Sequence, residues 1–263
     1  AKDEVGTANV TLDTFKLVGA SEYSYEVDED SILAILPIIT NQLSSSAADA
    51  FEDAVINGDK QALTAPGLAA HQDSWDSAGV AMAVTSPSMA CTGLRKLGMT
   101  GGTLEVNHQA APFSASAISG SRGNMGVYGL RPNDLALIVS IADYNTLLVE
   151  DVVSQYNLYG QGNTIRNGEL AQIWGIDIVP SAQMRDNLDA NGVGAAQGDA
   201  LGAAVLMHVP SFVVGVKRGF TVEIDTDKFT QTNCVIASFR RDFQAIGTPS
   251  ATFSTVSTIR NIA

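Results

Sequence analysis

The chain of 263 residues carries 28 Asp and Glu against 15 Lys and Arg, a net charge of −13 at pH 7. That balance argues against a protein that grips phosphate through a basic stripe, and no apolar run approaches the ~18 residues a membrane-spanning helix needs. Charged residues make up 16% of the chain against a usual ~25%, and with 24 glycines such a surface suits one covered by neighbouring subunits, a low-charge monomeric enzyme being the alternative.

Residues 5–25 alternate in short β-type pieces, with Val10 and Leu12, Phe15 and Leu17, then Tyr23 and Tyr25. The run Asp28-Glu29-Asp30-Ser31 supplies N-cap chemistry and negative charge for the start of a helix. Pro37 is expected to end helical geometry at Leu36 or to open a new helix. From Ile38, the spacing of Ile39, Leu43, Ala47, Ala50, Phe51, Ala54 and Val55 by threes and fours predicts one long amphipathic helix over 38–57. Gly58 fits the left-handed position that terminates it. Pro66-Gly67 suits the centre of a type II turn that returns Leu68 to the core.

Residues 98–126 are rich in Gly, Ser and Ala and read as a long loop or insertion. VYGL (127–130), the turn Arg131-Pro132-Asn133-Asp134 and LALIVSI (135–141) read as strand, turn, then strand or buried helix. IWGIDIVP (173–180) reads as one buried strand and 187–204 as a Gly/Ala-rich loop. Residues 212–227 and 233–243 read as two long strands joined by a polar turn. Charge is uneven along the chain: residues 1–60 hold three Lys and twelve Asp/Glu (net −9), whereas 216–263 hold six Lys/Arg and four acids (net +2). Such asymmetry can steer one copy's acidic end toward another copy's basic end, or simply mark a solvated acidic face.

Catalytic patterns fail on inspection. There is no GxxxxGK[ST], HExxH or GxSxG, and the GxGxxG begun by Gly160 and Gly162 meets Ile165 in its third glycine position. Asn187-Leu-Asp189-Ala-Asn191-Gly192 imitates half a calcium loop, but Gly198 stands where a bidentate Glu is needed, so it reads as a turn-rich loop. His71, His108 and His208 are too scattered to suggest a metal site, and Cys91 and Cys234 read as buried reduced thiols. No catalytic group, metal or cofactor is therefore expected.

The order of elements, rather than any single motif, carries a resemblance. VTLDTFKLVGASEYSYEVDEDS leads to a long helix ending in INGD and then APGL; GVYGLRPNDLALI, GIDIVPS, VKRGFTVEIDTD and NCVIASFRRDF follow. Over nearly its whole length the chain resembles the major capsid proteins of tailed bacteriophages with the Hong Kong 97 fold. The resemblance implies an α+β subunit: an extension-loop strand at 1–12, a peripheral domain at 13–85 and 209–239 with a long spine helix and a long sheet, and an axial domain at 86–208 and 240–263. It implies a structural role, with hexamers and pentamers building an icosahedral shell around double-stranded DNA in the virion, assembled in the host cytoplasm. Portal, scaffold or decoration proteins would be partners, and no membrane. The first residue, Ala1, is not Met, and the family's N-terminal arm has no counterpart, so the chain reads as processed or partial.

Crosslinking members of that family join a loop lysine to an asparagine, helped by a glutamate seven residues on. Asn233 resembles that asparagine and Lys2 is the lysine of the loop segment, but Arg240 holds the glutamate's place. Without a carboxylate to take the proton, amide formation is not expected. Lys2, Asp3, Glu4, Asn233 and Arg240 are the expected subunit-interface residues. Two rivals stay open: an encapsulin-like cargo compartment, whose helical N-terminal segment is not seen here, and an acidic α/β enzyme with an unrecognised site.

Overall fold

The computed structural model describes residues 10–31, 35–59, 87–99, 105–150, 172–194, 200–246 and 254–263. Lys2, Asp3, Glu4, His71 and the Pro66-Gly67 turn lie outside them. In chain order the described strands are β1 (Phe15–Ser24), β2 (Val106–Ala111), β3 (Leu135–Val139), β4 (Gln172–Ile173), β5 (Ile176–Pro180), β6 (Gly202–His208), β7 (Phe212–Asp227), β8 (Thr232–Ala245) and β9 (Val256–Ile262). The helices are α1 (Tyr25–Asp30), α2 (Ile35–Asn57), α3 (Leu94–Met99), α4 (Ala115–Asn124) and α5 (Ile141–Val149). Two compact units result: Ala1–Ala48 with Phe212–Ile246, and Asp49–Ser211 with Gly247–Ala263. Helix α2 runs across the division, and β8 continues unbroken past 239 to Ala245.

The first unit is built on an antiparallel sheet of order β1-β8-β7. Strand β8 has no Gly or Pro to interrupt its ladder, and its odd positions Val235, Ala237, Phe239 and Phe243 are buried. Phe212 and Phe243 stack with ring centroids 5.4 Å apart. Residues 10–14 precede β1 without strand pairing, so the alternation at Val10 and Leu12 does not mark a strand. The acidic run at 28–31 does not open a helix either. Ser24, in extended backbone, precedes α1; residues 28–30 form its last turn and Ser31 is its C-cap.

Helix α2 has 23 residues, about 34 Å of helix at 1.5 Å per residue. Pro37 is its third residue, in the first turn, where N–H groups have no intrahelical acceptor, so the proline neither ends nor starts a helix there. The stripe Ile39, Leu43, Ala47, Ala50 and Phe51 is half-buried, and only Ala54, Ile56 and Asn57 are fully buried. Gly58 is not left-handed. Its N–H still donates to Ala54 O at 3.1 Å, continuing the helical pattern, and its φ is not among the positive ones. What selects glycine is proximity: a Cβ here would lie 2.3 Å from the carbonyl oxygens of Ala54 and Cys91.

The second unit holds a mixed sheet of order β2-β9-β6-β3-β5-β4. Strand β9 lies inside it, parallel to β2 and antiparallel to β6. Phe113, Ile118, Met125, Leu137, Leu147, Ile176, Leu206 and Ile259 form the centre of its core. Four sequence expectations change in this unit. Residues 98–126 are not one loop, for β2 and α4 lie within them; α4 buries Ala115, Ala117, Ile118 and Ser121 and packs against β9. Gly126–Gly129 is a 3₁₀ turn rather than a strand. IWGIDIVP is a tight hairpin, β4 and β5 joined through Trp174 (φ 49°) and Gly175 (φ 77°), both left-handed as a type I′ turn requires. The supposed loop at 187–204 ends in the first residues of β6, which is buried from Gly202 to Leu206.

Candidate functional site

Residues opposite one another in an antiparallel ladder share a face, so the register of β1-β8-β7 arranges charge in rows. On the face of the even-numbered β8 residues, Lys16, Arg240 and Arg218 stand side by side across all three strands. Lys16 is exposed and the two arginines are half-buried. None of the three forms an ion pair with another described residue, and the Nε atoms of Arg218 and Arg240 have no hydrogen-bond partner among them. Arg218 Nη2 donates to Ser238 Oγ in the next row. Three like charges in one row repel, which costs the isolated subunit stability.

The same face turns acidic toward the hairpin. Glu223 lies opposite Ile236, Glu22 and Asp225 flank Cys234, and Asp227 pairs with Thr232. All four acids are exposed. Glu22 Oε1 accepts from Thr232 Oγ1 at 2.6 Å. The N–H of Phe229, 2.8 Å from Asp227 Oδ1, holds that carboxyl below its usual range, with the Thr230 hydroxyl assisting. From Arg240 to Cys234 is six residues, about 20 Å along the strand. One sheet face thus carries a cationic row and an acidic patch about 20 Å apart. The sequence-level asymmetry between the two chain ends is realised differently: β7 and β8 hold most of both poles.

Asn233 and Arg240 are not brought together. They sit seven residues apart on one strand and therefore face opposite ways. Asn233 Oδ1 accepts from Thr226 Oγ1 at 3.2 Å, next to Tyr23 in register. Lys16, Arg218, Glu22, Glu223 and Asp225 were not singled out by sequence reasoning; the strand register places them, with its shifts between Val216 and Thr221 bringing Arg218 and Glu223 to one face.

His108, His208 and the calcium-like segment are each engaged in local hydrogen bonds. His108 Nε2 lies 2.8 Å from Pro112 O, to which it must donate, so the same nitrogen cannot act as base toward Ser114 Oγ, 3.5 Å away. His208 Nδ1 meets Ser211 Oγ at 2.7 Å, and its ring packs against Tyr128. No carboxylate hydrogen-bonds to either imidazole among the described residues, so neither contact is a triad. Asp189 Oδ1 accepts from the N–H groups of Asn191 (2.8 Å) and Val193 (3.0 Å); the calcium-like segment is a turn. Cys91 and Cys234 are both free thiols. Cys91 is buried as expected and lies 3.1 Å from Ala54 O, whereas Cys234 is only half-buried.

No family model matches the chain. In sequence it is similar to the major capsid protein of Escherichia phage T5, 24% identical over 248 residues, which are 93% of this chain. The chain spans about half of that protein, 47% of its length. In structure it is similar to the capsid of an empty GTA particle, with TM-score 0.59, 12% identity, and 100% of this chain and 78% of that one covered. It is also similar to the mature capsid of bacteriophage PhiM1, with TM-score 0.55, 13% identity, and 96% and 72% covered. A Microbacterium phage Oxtober96 structure gives TM-score 0.59 at 11% identity, with 94% and 72% covered. The chain has the Hong Kong 97 fold.

Proposed function

We propose that this chain is the shell-forming subunit of a tailed bacteriophage: copies associate as hexamers and pentamers into an icosahedral capsid that encloses double-stranded DNA. The observation that carries the reading is the likeness of nearly the whole chain to capsid proteins, in sequence and in fold together. The physical chemistry agrees with it. Helix α2 exposes much of its length, and β7 carries the exposed apolar residues Val214, Val216 and Ile224. Such surface in a low-charge chain is suited to covering by neighbours. A net charge of −13 fits a lining that must not grip its genome, so contact with DNA is non-specific. Assembly takes place in the host cytoplasm, with portal, scaffold or decoration proteins as further partners, and the role is structural rather than enzymatic.

Electron microscopy and light scattering of the purified full-length protein test this. Hollow or DNA-filled shells are the expected outcome, and monomers or dimers under every assembly condition overturn the proposal. Within the same reading, Lys2, Asp3 and Glu4 belong to a segment that serves a neighbouring subunit. Deleting residues 1–8 should then leave a folded monomer that no longer forms particles; intact shells from the deletion would exclude that role.

A further inference from the structure

The charged face of the β1-β8-β7 sheet has no use within the described subunit. A row of three cations without ion-pair partners is an arrangement that strand pairing disfavours, and it is relieved when carboxylates are brought to it. We propose that this row, Lys16, Arg240 and Arg218, docks against the acidic patch, Glu22, Glu223 and Asp225, on the same face of a second copy of the chain. The proposal rests on the shell reading and names one of its contacts.

Three observations favour a second copy. None of the three cations has an ion-pair partner among the described residues, and Lys16 is exposed, so the row has uncompensated charge to offer. The complementary carboxylates are exposed on every copy, and the two poles lie about 20 Å apart along one face. A neighbour turned over by a two-fold axis that lies between the two faces and across the strands can therefore satisfy both poles. DNA is the poorer occupant. A duplex laid on this face would bring a continuous line of phosphates over Glu22, Glu223, Asp225 and Asp227, whereas a folded neighbour presents a bounded acidic patch.

Charge reversal tests the pairing in the full-length protein, with assembly followed by light scattering and electron microscopy. Lys16→Glu with Arg240→Glu, which turns the row net negative, and Glu223→Lys with Asp225→Lys, which turns the patch net positive, should each raise the protein concentration needed for assembly about tenfold or more. Circular dichroism should stay that of the wild type. Combining the four substitutions should restore assembly, because a net negative row then meets a net positive patch. If Arg240→Glu disturbs folding, Lys16→Glu alone, at an exposed position of the same row, carries the one-sided test, and its partner is then Glu223→Lys alone. One-sided reversals that assemble like wild type would overturn the docking while leaving the shell reading intact. So would a folded combined variant no better than the one-sided ones. Shells that form normally from the variant with the reversed row but fail to retain DNA would assign the row to the genome and overturn the proposal too. A wild-type protein that never assembles would remove the shell reading and this contact together.

Discussion

Arg95 donates its Nε–H to Oδ1 of Asn57 at 3.2 Å, and neither side chain has any accessible surface. Asn57 is the last residue of α2, and Arg95 the second of α3. Asn57 Nδ2 in turn donates to Asp53 Oδ1 (2.8 Å) and Gln183 O (2.6 Å), while Arg95 Nη1 donates to Gly192 O. Thr258 Oγ1, on β9, donates to the Arg95 carbonyl at 2.9 Å. Two buried polar side chains thus join the end of the long helix, a short helix and the 183–192 turns, and the Thr258 hydroxyl ties the C-terminal strand to the same short helix.

Removing the guanidinium strands buried acceptors on two elements at once. Arg95→Met should therefore cost about 2–5 kcal/mol in urea unfolding. Arg95→Lys should recover little, since one ammonium on a single stem cannot serve Asn57 and Gly192 in the fork geometry of a guanidinium. A lysine variant of wild-type stability would show that charge and packing, rather than the fork, matter at this position.

Steric closeness governs the residues next to this network. A Cβ at Gly93 would lie 2.3 Å from Gly58 N and 2.7 Å from Ile56 O, matching the crowding at Gly58 itself. Gly58→Ala and Gly93→Ala should each destabilise by about 1–3 kcal/mol, because backbone rather than a movable side chain is in the way. Gly123, in α4, has nothing within 4 Å of its Cβ position, so Gly123→Ala should be neutral or stabilising by up to about 1 kcal/mol. Thermal melts of the three variants decide it, and a Gly58→Ala protein as stable as Gly123→Ala would refute the close-approach account.

Gly58 also marks what the sequence can and cannot say. A glycine after a helical run signals a stop, but whether the reason is positive φ or a neighbouring backbone is settled by residues 91–93, far along the chain. The long hairpin was legible because β7 and β8 alternate over many residues, and α2 because its apolar stripe keeps a steady spacing. α4 and β9 were not. The α4 sequence ASAISGSRGN is small and polar, and β9 buries Ser257, Thr258 and Asn261, residues that read as surface until partners such as Arg95 O and Asn107 Oδ1 accept their hydrogen bonds. The cationic row was illegible for a related reason: Lys16 and Arg218 are 202 positions apart, and only the register through Arg240 makes them neighbours.

Asn233 and Arg240 lead to a chemical prediction. An amide carbon is attacked by an amine only if something takes the proton, and the position seven residues after Asn233 offers a guanidinium, which cannot. Particles boiled in denaturant should release single subunits on a gel. A ladder of covalent multimers would show that another carboxylate performs the task.

Asp143 makes one contribution to the pH dependence of the second unit's stability. It is the third residue of α5, and its N–H donates to Ser140 Oγ at 3.0 Å, the helix's N-terminal cap. Its carboxyl is 6% exposed, and Oδ2 has no hydrogen-bond partner among the described residues. Burial pushes its pKa above 3.8; the charge of Asp186 adds to the rise, while the Ser140 hydrogen bond and His108 oppose it. A negative charge in the first turn of a helix gains from the dipole, typically 0.3–1 kcal/mol, yet here desolvation outweighs that gain. The folded state therefore holds this proton more tightly than the unfolded chain. The resulting stability is fully present below the unfolded pKa and is lost as pH rises through the folded one. Asn is never charged, so Asp143→Asn should melt higher than wild type at pH 7, by roughly 2–4 °C for a gain of about 1 kcal/mol. That difference should shrink as pH falls and vanish below about pH 4, where wild-type Asp143 is protonated in both states. A wild type that melts above the variant at pH 7 would mean that the helix dipole, not desolvation, dominates at Asp143.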